Sequence, residues 1–459
     1  MPDARSTALK YAQDNRARFL DELKELVAIP SVSADSANKP DIQRAAEWLT
    51  TKLKKLGFQN IQILDTGGHP MIYADLLTAG TDAPTMLVYG HYDVQPADPV
   101  DLLKTPPFEG VQKGEYLFGR GASDMKGQVI VSLAAIESAL KAGSLPVNIK
   151  WMIEGEEETG SPNMGAFIKK HAKLFAADFA LNPDAGMLSP TQPTITYGLR
   201  GLAYFEIHIS GPALDLHSGF FGGTVRNPAN ELARLIAGMQ DASGHINLPG
   251  FYDKVRKLDD EERAEFKRLP QNDELYLKMT GAKALWGEKD FSAYERATAR
   301  PTLDVNGLLS GYTGEGPKTV LPAKAMAKLS CRLVPDQDPH EVEKQLRQYM
   351  EKNADPTVTW EVKPISDAVP SISERDSLAV KAMAKAQETV WGVKPIFRRE
   401  GGSVPVVGHL QGELGLESVN VGSGLPDDQL HSPNERLHLP TWEKEIDAFV
   451  HFIYNLGGS

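Results

Sequence analysis

His91 and Asp93 stand two residues apart at the end of an apolar run, TMLVYGHYD (85–93). In open α/β sheets, functional groups collect just past the carboxyl ends of strands. Residues i and i+2 of an extended chain share a side, so Asp93 can accept a hydrogen bond from the His91 imidazole. Such a bond fixes the tautomer and makes the other ring nitrogen a better metal ligand. Taken alone, the pair reads equally well as a surface turn. Asp124 lies in the glycine-punctuated run LFGRGASDMKGQ (117–128), where it either binds metal or caps the helix that follows.

A third run, VNIKWMIEGEEETGS (147–161), delivers Glu154, Glu156, Glu157 and Glu158 from a strand that should be buried. Clustered carboxylates repel unless they are solvated or held by cations. Glu156 is read as a solvated acid of the turn. Adjacent residues point different ways, so Glu157 and Glu158 can divide metal binding and proton handling between them. Asp184, in LNPDAG (181–186), is a turn former or a ligand. His431 sits in the loop GSGLPDDQLHSPNE (422–435), where a histidine has no core to pack into. Asp427 and Asp428 of that loop are read as solvated. Two histidines and several carboxylates, each just after a strand or in a loop, suit two divalent ions such as Zn²⁺ or Mn²⁺.

Strands and helices must alternate to carry these groups to one place. Residues 6–27 predict one amphipathic helix, with Leu9, Ala12, Phe19, Leu23, Leu26 and Val27 on its apolar side. Residues 41–56 predict a second, stopped by Gly57. Strand signals at 61–64, 71–76, 85–89, 147–153 and 178–181, with a helix at 126–142, imply an α/β sheet with helices on both faces. The texture changes after Gly201. Residues 203–210 alternate like a half-exposed strand. A helix at 228–239 follows, then a charged insertion around 253–290 with no readable motif. Strands near 303–308, 325–334 and 357–363 and a helix at 338–352 complete a small α+β domain. From 376 the α/β texture returns, with helices at 376–391, 403–411 and 441–455 and a strand at 418–421. The expected organisation is an α/β catalytic domain, residues 1–200 and 371–459, whose central mixed sheet is flanked by helices. A smaller α+β domain at 201–370 is inserted into it.

A chain of 459 residues exceeds what one hydrophobic core usually serves. The net charge of −12, with no basic stripe, argues against a nucleic-acid partner. Cys331 is the only cysteine, so an intramolecular disulfide and a multi-thiolate zinc site are both excluded. The opening MPDARSTALKYAQDNRARF has no apolar core of a signal peptide. No apolar run approaches the ~18–20 residues of a membrane span. The expectation is a cytoplasmic enzyme with no membrane partner.

The blocks GHYDV, GRGASDMKG, EGEEETGS and HSPNE resemble the M20 metallopeptidases, and DLHSGFFGGTVRNP (215–228) resembles their cytosolic nonspecific dipeptidase and carnosine dipeptidase branch. The resemblance spans nearly the whole chain, with the blocks in family order. It implies two divalent metal ions per subunit. Asp124 would bridge them, followed by a peptide bond that is often cis. His91 and Asp184 would complete one site, and Glu158 and His431 the other. Glu157 would be the general base, in a broad-specificity dipeptidase acting on small peptides, and Asp93 the partner of His91. The inserted domain would be a lid and homodimer contact, with His217 entering the partner subunit's active site to stabilise the oxyanion. Arg332 would meet the substrate carboxylate, Gly402 and Ser403 of REGGSVP (399–405) would line the pocket, and Thr319 would lie near it. One departure stands out: KPISDAVPSISERD (363–376) has no histidine where the mammalian cytosolic dipeptidases carry one. Alternatives are an N-acyl-amino-acid deacylase or desuccinylase with the same metal site and, more remotely, a non-catalytic binding protein on this scaffold.

Overall fold

The computed structural model describes residues 3–402 and 404–457. Ser403 lies outside the described residues. The chain forms two compact units. The first runs to Tyr197 and adds Ser373–Arg398 and the chain from His409; the second is Gly198–Ile372 with Arg399–Gly408.

The first unit is built on a mixed sheet. Its strand order is Gln59–Leu64, Met71–Leu76, Asn148–Glu154, Thr85–His91, Phe179–Asn182, Ser418–Asn420 and Thr194–Leu199. Four of these strands, from Asn148–Glu154 to Ser418–Asn420, run parallel to one another. Their carboxyl ends therefore share one edge of the sheet. Both faces are covered, which is why Met71–Leu76 is buried at every position and shows no alternation. The helix Lys126–Ala142 is buried from Lys126 through Ala139 and packs against Ala4–Asp14, Arg16–Val27 and Leu439–Leu456. Lys126 itself is fully buried. Its Nζ donates to the carbonyls of Leu26 (3.1 Å) and Ile29 (2.7 Å), satisfying the end of a neighbouring helix.

The expected single helix over 6–27 is two helices, Ala4–Asp14 and Arg16–Val27. Asn15 separates them with φ −109° and ψ 6°. Its side-chain amide donates to the Tyr11 carbonyl at 2.9 Å, competing with the helical ladder. A three-stranded sheet, Arg436–His438, Tyr116–Phe118 and Val111–Lys113, gave no sequence signal because each strand has three residues. It matters for the site: Arg436 pairs with Phe118, so the loops that follow Phe118 and precede Arg436 start side by side.

In the second unit a four-stranded antiparallel sheet has the order Thr302–Ser310, Lys324–Leu333, Gly201–Ser210 and Thr359–Ala368. Burial alternates strictly along Gly201–Ser210. Its inward residues Phe205, Ile207 and Ile209 share a core with Leu232, Leu235, Val342 and Leu346 of the helices Pro228–Gly238 and Pro339–Asn353. The charged insertion contains two short helices, Asp260–Phe266 and Asp273–Thr280. No helix among the described residues is long and apolar enough to cross a membrane.

Candidate metal centre

His91 closes its strand fully buried, in parallel register with Glu154 of the neighbouring strand. Its Nε2 lies 3.2 Å from Asp124 Oδ1 and 3.9 Å from Asp184 Oδ2. The Nε2 of His431 lies 2.9 Å from Asp124 Oδ2 and 3.1 Å from Glu158 Oε2. Two groups of possible metal ligands result: His91, Asp124 and Asp184, and Asp124, Glu158 and His431. Within each group the ligand atoms lie within 4.8 Å of one another. Asp124 belongs to both, offering one carboxylate oxygen to each. The peptide bond after it is cis.

Several of the candidate ligands are held from behind. Asp93 was expected to receive the His91 imidazole on its carboxylate. The backbone carbonyl of Asp93 lies closer, 3.0 Å from Nδ1, with carboxylate Oδ1 at 3.4 Å. The carboxylate also accepts the amides of Glu157 (3.2 Å) and Glu158 (3.1 Å), capping the turn that presents both glutamates. Gln95 donates to Glu158 Oε2 at 2.9 Å. Glu435, buried, accepts the amides of Gly121, Ser123 and Asp124 at 2.9–3.1 Å and pairs with Arg120 at 2.8 Å. It thereby shapes the Asp124 loop from the loop that carries His431. His431 itself holds a left-handed backbone, φ 56°, which a non-glycine residue rarely adopts.

Two sequence readings are corrected. Glu156 is not a solvated acid of the turn; it is buried and accepts the His69 amide (2.9 Å) and the Asn163 side-chain amide (3.0 Å). Asp428 is also buried, accepting from Ser123 Oγ (2.7 Å) and the Leu425 amide (2.8 Å). Asp427 is exposed, as expected, beside Arg436. Gln95 and Glu435 were missed as supports. Glu435 lies inside the HSPNE block, but its contacts span more than 300 residues.

The electrostatics describe a pocket made for cations. Burial alone would lower the pKa of His91, but Asp124, Asp93 and Asp184 hold it well above the usual histidine value. Hydrogen bonds to Asp124 and Glu158 push His431 up to about 10. Burial opposes ionisation of Asp124, yet the two histidines hold its carboxyl below the usual range. Glu157 belongs to neither ligand group, and burial beside Asp184, Glu154 and Asp124 raises its pKa. The acidic groups around both imidazoles thus favour positive charge at this place. The carboxylates of Asp124, Glu158 and Asp184 converge with the two imidazoles, a donor set that could hold divalent cations. All the donors are carboxylate oxygens and imidazole nitrogens, a set that fits Zn²⁺ or Mn²⁺. Cys331 is buried in the second unit, its thiol pushed up to about 12.

The other expected site residues lie in the second unit. His217 pairs with Val320 across a two-residue ladder, which sets Thr319 beside it: the Thr319 carbonyl accepts the Ser218 amide at 3.0 Å. His217 is exposed. Its Nδ1 accepts the Gly219 amide at 3.0 Å, so in the neutral ring Nε2 carries the proton. Arg332, near the end of its strand, pairs with Leu202 and Thr302. Burial and the charge of Arg332 bring Arg200 down to about 10. A side chain added at Gly402 would meet open space.

Residues 87–455 match the model of peptidase family M20/M25/M40. The chain is 34% identical to the Cys-Gly metallodipeptidase DUG1 of Candida albicans, over 96% of this chain and 95% of that protein. It is 31% identical to the human Beta-Ala-His dipeptidase, over 97% and 92%. Among solved structures it resembles the M20 family metallo-carboxypeptidase Sso-CP2 of Sulfolobus solfataricus, with a TM-score of 0.81 and 34% identity over 96% of this chain and 99% of that one.

Proposed function

This chain belongs to peptidase family M20/M25/M40, and from that premise we propose that it hydrolyses the amide bond of dipeptides, using two divalent cations, Zn²⁺ or Mn²⁺. The observation that carries the reading is the position of Asp124, one carboxylate shared by two ligand groups. His91 and Asp184 would hold one cation with it, and Glu158 and His431 the other. Cations bound there would polarise the scissile carbonyl and lower the pKa of an attacking water toward neutrality.

The chain's own groups do the rest. Glu157 takes the proton of the attacking water and passes it to the leaving amine. Its buried, acid-rich setting supports a carboxyl that exchanges protons near neutral pH once cations offset the raised pKa. Asp93 keeps Glu157 and Glu158 on one turn. The second unit is the lid of a homodimer, and its His217 donates from Nε2 to the carbonyl oxygen in the partner subunit's site as charge develops there. Arg332, with Arg200 beside it, receives the substrate carboxylate. Gly402 lines the pocket, with Thr319 next to His217. The missing histidine in 363–376 leaves the carboxylate end less constrained and favours broad specificity.

The likeness to a metallo-carboxypeptidase supports a second reading, removal of a C-terminal residue from longer or N-blocked peptides. Both reactions use the substrate carboxylate; they differ in whether a free amine is required. Protein loaded with Zn²⁺ or Mn²⁺ is assayed on free dipeptides, N-acetyl dipeptides and N-acyl amino acids. Cleavage of free dipeptides alone is expected. Cleavage of N-acetyl dipeptides would favour the carboxypeptidase, and of N-acyl amino acids alone a deacylase. Failure to cleave any unblocked dipeptide sinks the proposal.

A further inference from the structure

The charged insertion makes contacts that its sequence does not announce. Arg399 opens the segment Arg399–Gly408 and is buried, as is Glu262 of the insertion helix Asp260–Phe266. The Arg399 guanidinium pairs with Glu262 Oε1. The other oxygen of Glu262 accepts the Asp259 amide at 3.3 Å, and Asp259 Oδ1 accepts the Glu262 amide at 2.7 Å. One carboxylate therefore closes a capping box and grips the loop. The carbonyl of Arg399 is held separately, by the Tyr294 hydroxyl at 2.6 Å. Tyr294 lies on the helix Ala293–Thr298, which has its own capping box from Ser292 and Glu295. Arg263 and Glu295 join the two helices at 3.2 Å, and the rings of Phe266 and Tyr294 meet edge to face at 5.1 Å. At Gly401 an added Cβ would fall 2.6 Å from the Ala297 carbonyl, so the loop backbone lies directly against this helix.

We propose that the helices Asp260–Phe266 and Ala293–Thr298 form a clamp that positions the loop beginning at Arg399, with Glu262 and Tyr294 as positioning residues for substrate binding. The inference rests on the reading of 399–405 as the pocket-lining loop. Gly401 and Gly402 have no side chains with which to anchor themselves, and glycine gives the backbone its greatest freedom. Arg399, just ahead of them, is therefore held at both ends, guanidinium and carbonyl. A buried ion pair contributes little net stability against a packed apolar substitute, but losing one partner strands a charge, so the pair enforces a single arrangement.

Tyr294→Phe and Glu262→Gln test the clamp in metal-loaded protein, through amide hydrogen exchange over 399–408 and through KM and kcat on a dipeptide that the parent cleaves. Tyr294→Phe removes one hydroxyl and keeps the ring, so it serves if Glu262→Gln fails to fold. Exchange should quicken in the loop. KM should rise about 10- to 100-fold with kcat nearly unchanged, as for a contact made equally in ground and transition states. Unchanged exchange in both variants overturns the clamp. Faster exchange with an unchanged KM overturns its part in substrate binding. A parent without dipeptidase activity defeats the functional reading instead, and the exchange comparison still decides the clamp.

Discussion

The candidate metal centre of the first unit and the His217 hairpin of the second are supported in different ways. His91 and Asp93 are fully buried, and Asp124 and Glu158 have support behind them from Glu435 and Gln95. His217 is exposed on a ladder of two residue pairs beside Phe220, which is 78% exposed. The contrast fits their proposed roles. Ligands that must hold cations at fixed separations need side chains locked by a second layer of bonds. A donor that serves another chain must reach out of its own, and cannot be buried there. Predictions that attack the contrast therefore separate by readout: metal content for one region, transition-state stabilisation for the other.

The largest effect is expected at Glu157. Glu157→Gln should lower kcat by about 10²–10⁴ while elemental analysis finds the same metal content as the parent. Loss of a metal would make Glu157 a ligand and move it across the comparison. Next comes His217→Ala, with a fall in kcat of about 10²–10³ and metal binding intact. Mixing inactive His217→Ala and Glu157→Gln subunits should restore part of the activity if the histidine works in trans. An unchanged kcat in His217→Ala removes that residue from the mechanism. A smaller and more selective loss is expected for Gln95→Leu, which frees Glu158 Oε2. Affinity for one of two bound cations should drop about 10- to 100-fold. Equal weakening of both would mean that the two ligand groups do not act as separate sites.

The same two regions differ in how far the sequence reveals them. His91, Asp124, Glu158, Asp184 and His431 stood out because each follows a strand signal or sits in a glycine-rich loop, but most alone read equally well as a turn or cap, and which of Glu157 and Glu158 is the ligand was implied only by the family resemblance. The long strands and the helix over 126–142 were legible from apolar runs of the right length. Glu156 and Asp428 were misread because a carboxylate in a turn looks the same in sequence whether water or buried amides surround it. The groups it meets can belong to distant segments: Ser123 is 305 positions from Asp428. Glu435 was hidden for the same reason, since its role exists only after the Tyr116–Phe118 and Arg436–His438 strands pair. The break at Asn15 was invisible because the apolar stripe continues through it. The insertion gave no motif because its contribution is an ion pair with a loop more than 130 residues away.

The smallest expected effect is a slope. In the cation-free protein hydrogen bonds to Asp124 and Glu158 push His431 up to about 10, and Asp124, Asp93 and Asp184 hold His91 well above its usual value, which favours the protonated rings. A metal ligand must be neutral, so each binding event displaces a histidine proton. The sign follows: affinity rises with pH below these pKa values, by about tenfold per unit for each proton released. Metal titrations between pH 6 and 8 check it. His431→Gln has no proton to lose, so its affinity for the cation held with Glu158 should be weaker but nearly flat with pH, while the other site keeps its slope. A parent whose affinities are flat over this range would mean that Asp124, Asp184 and Glu158 do not hold the histidines protonated. The acid-rich pocket would then select cations by geometry rather than by charge.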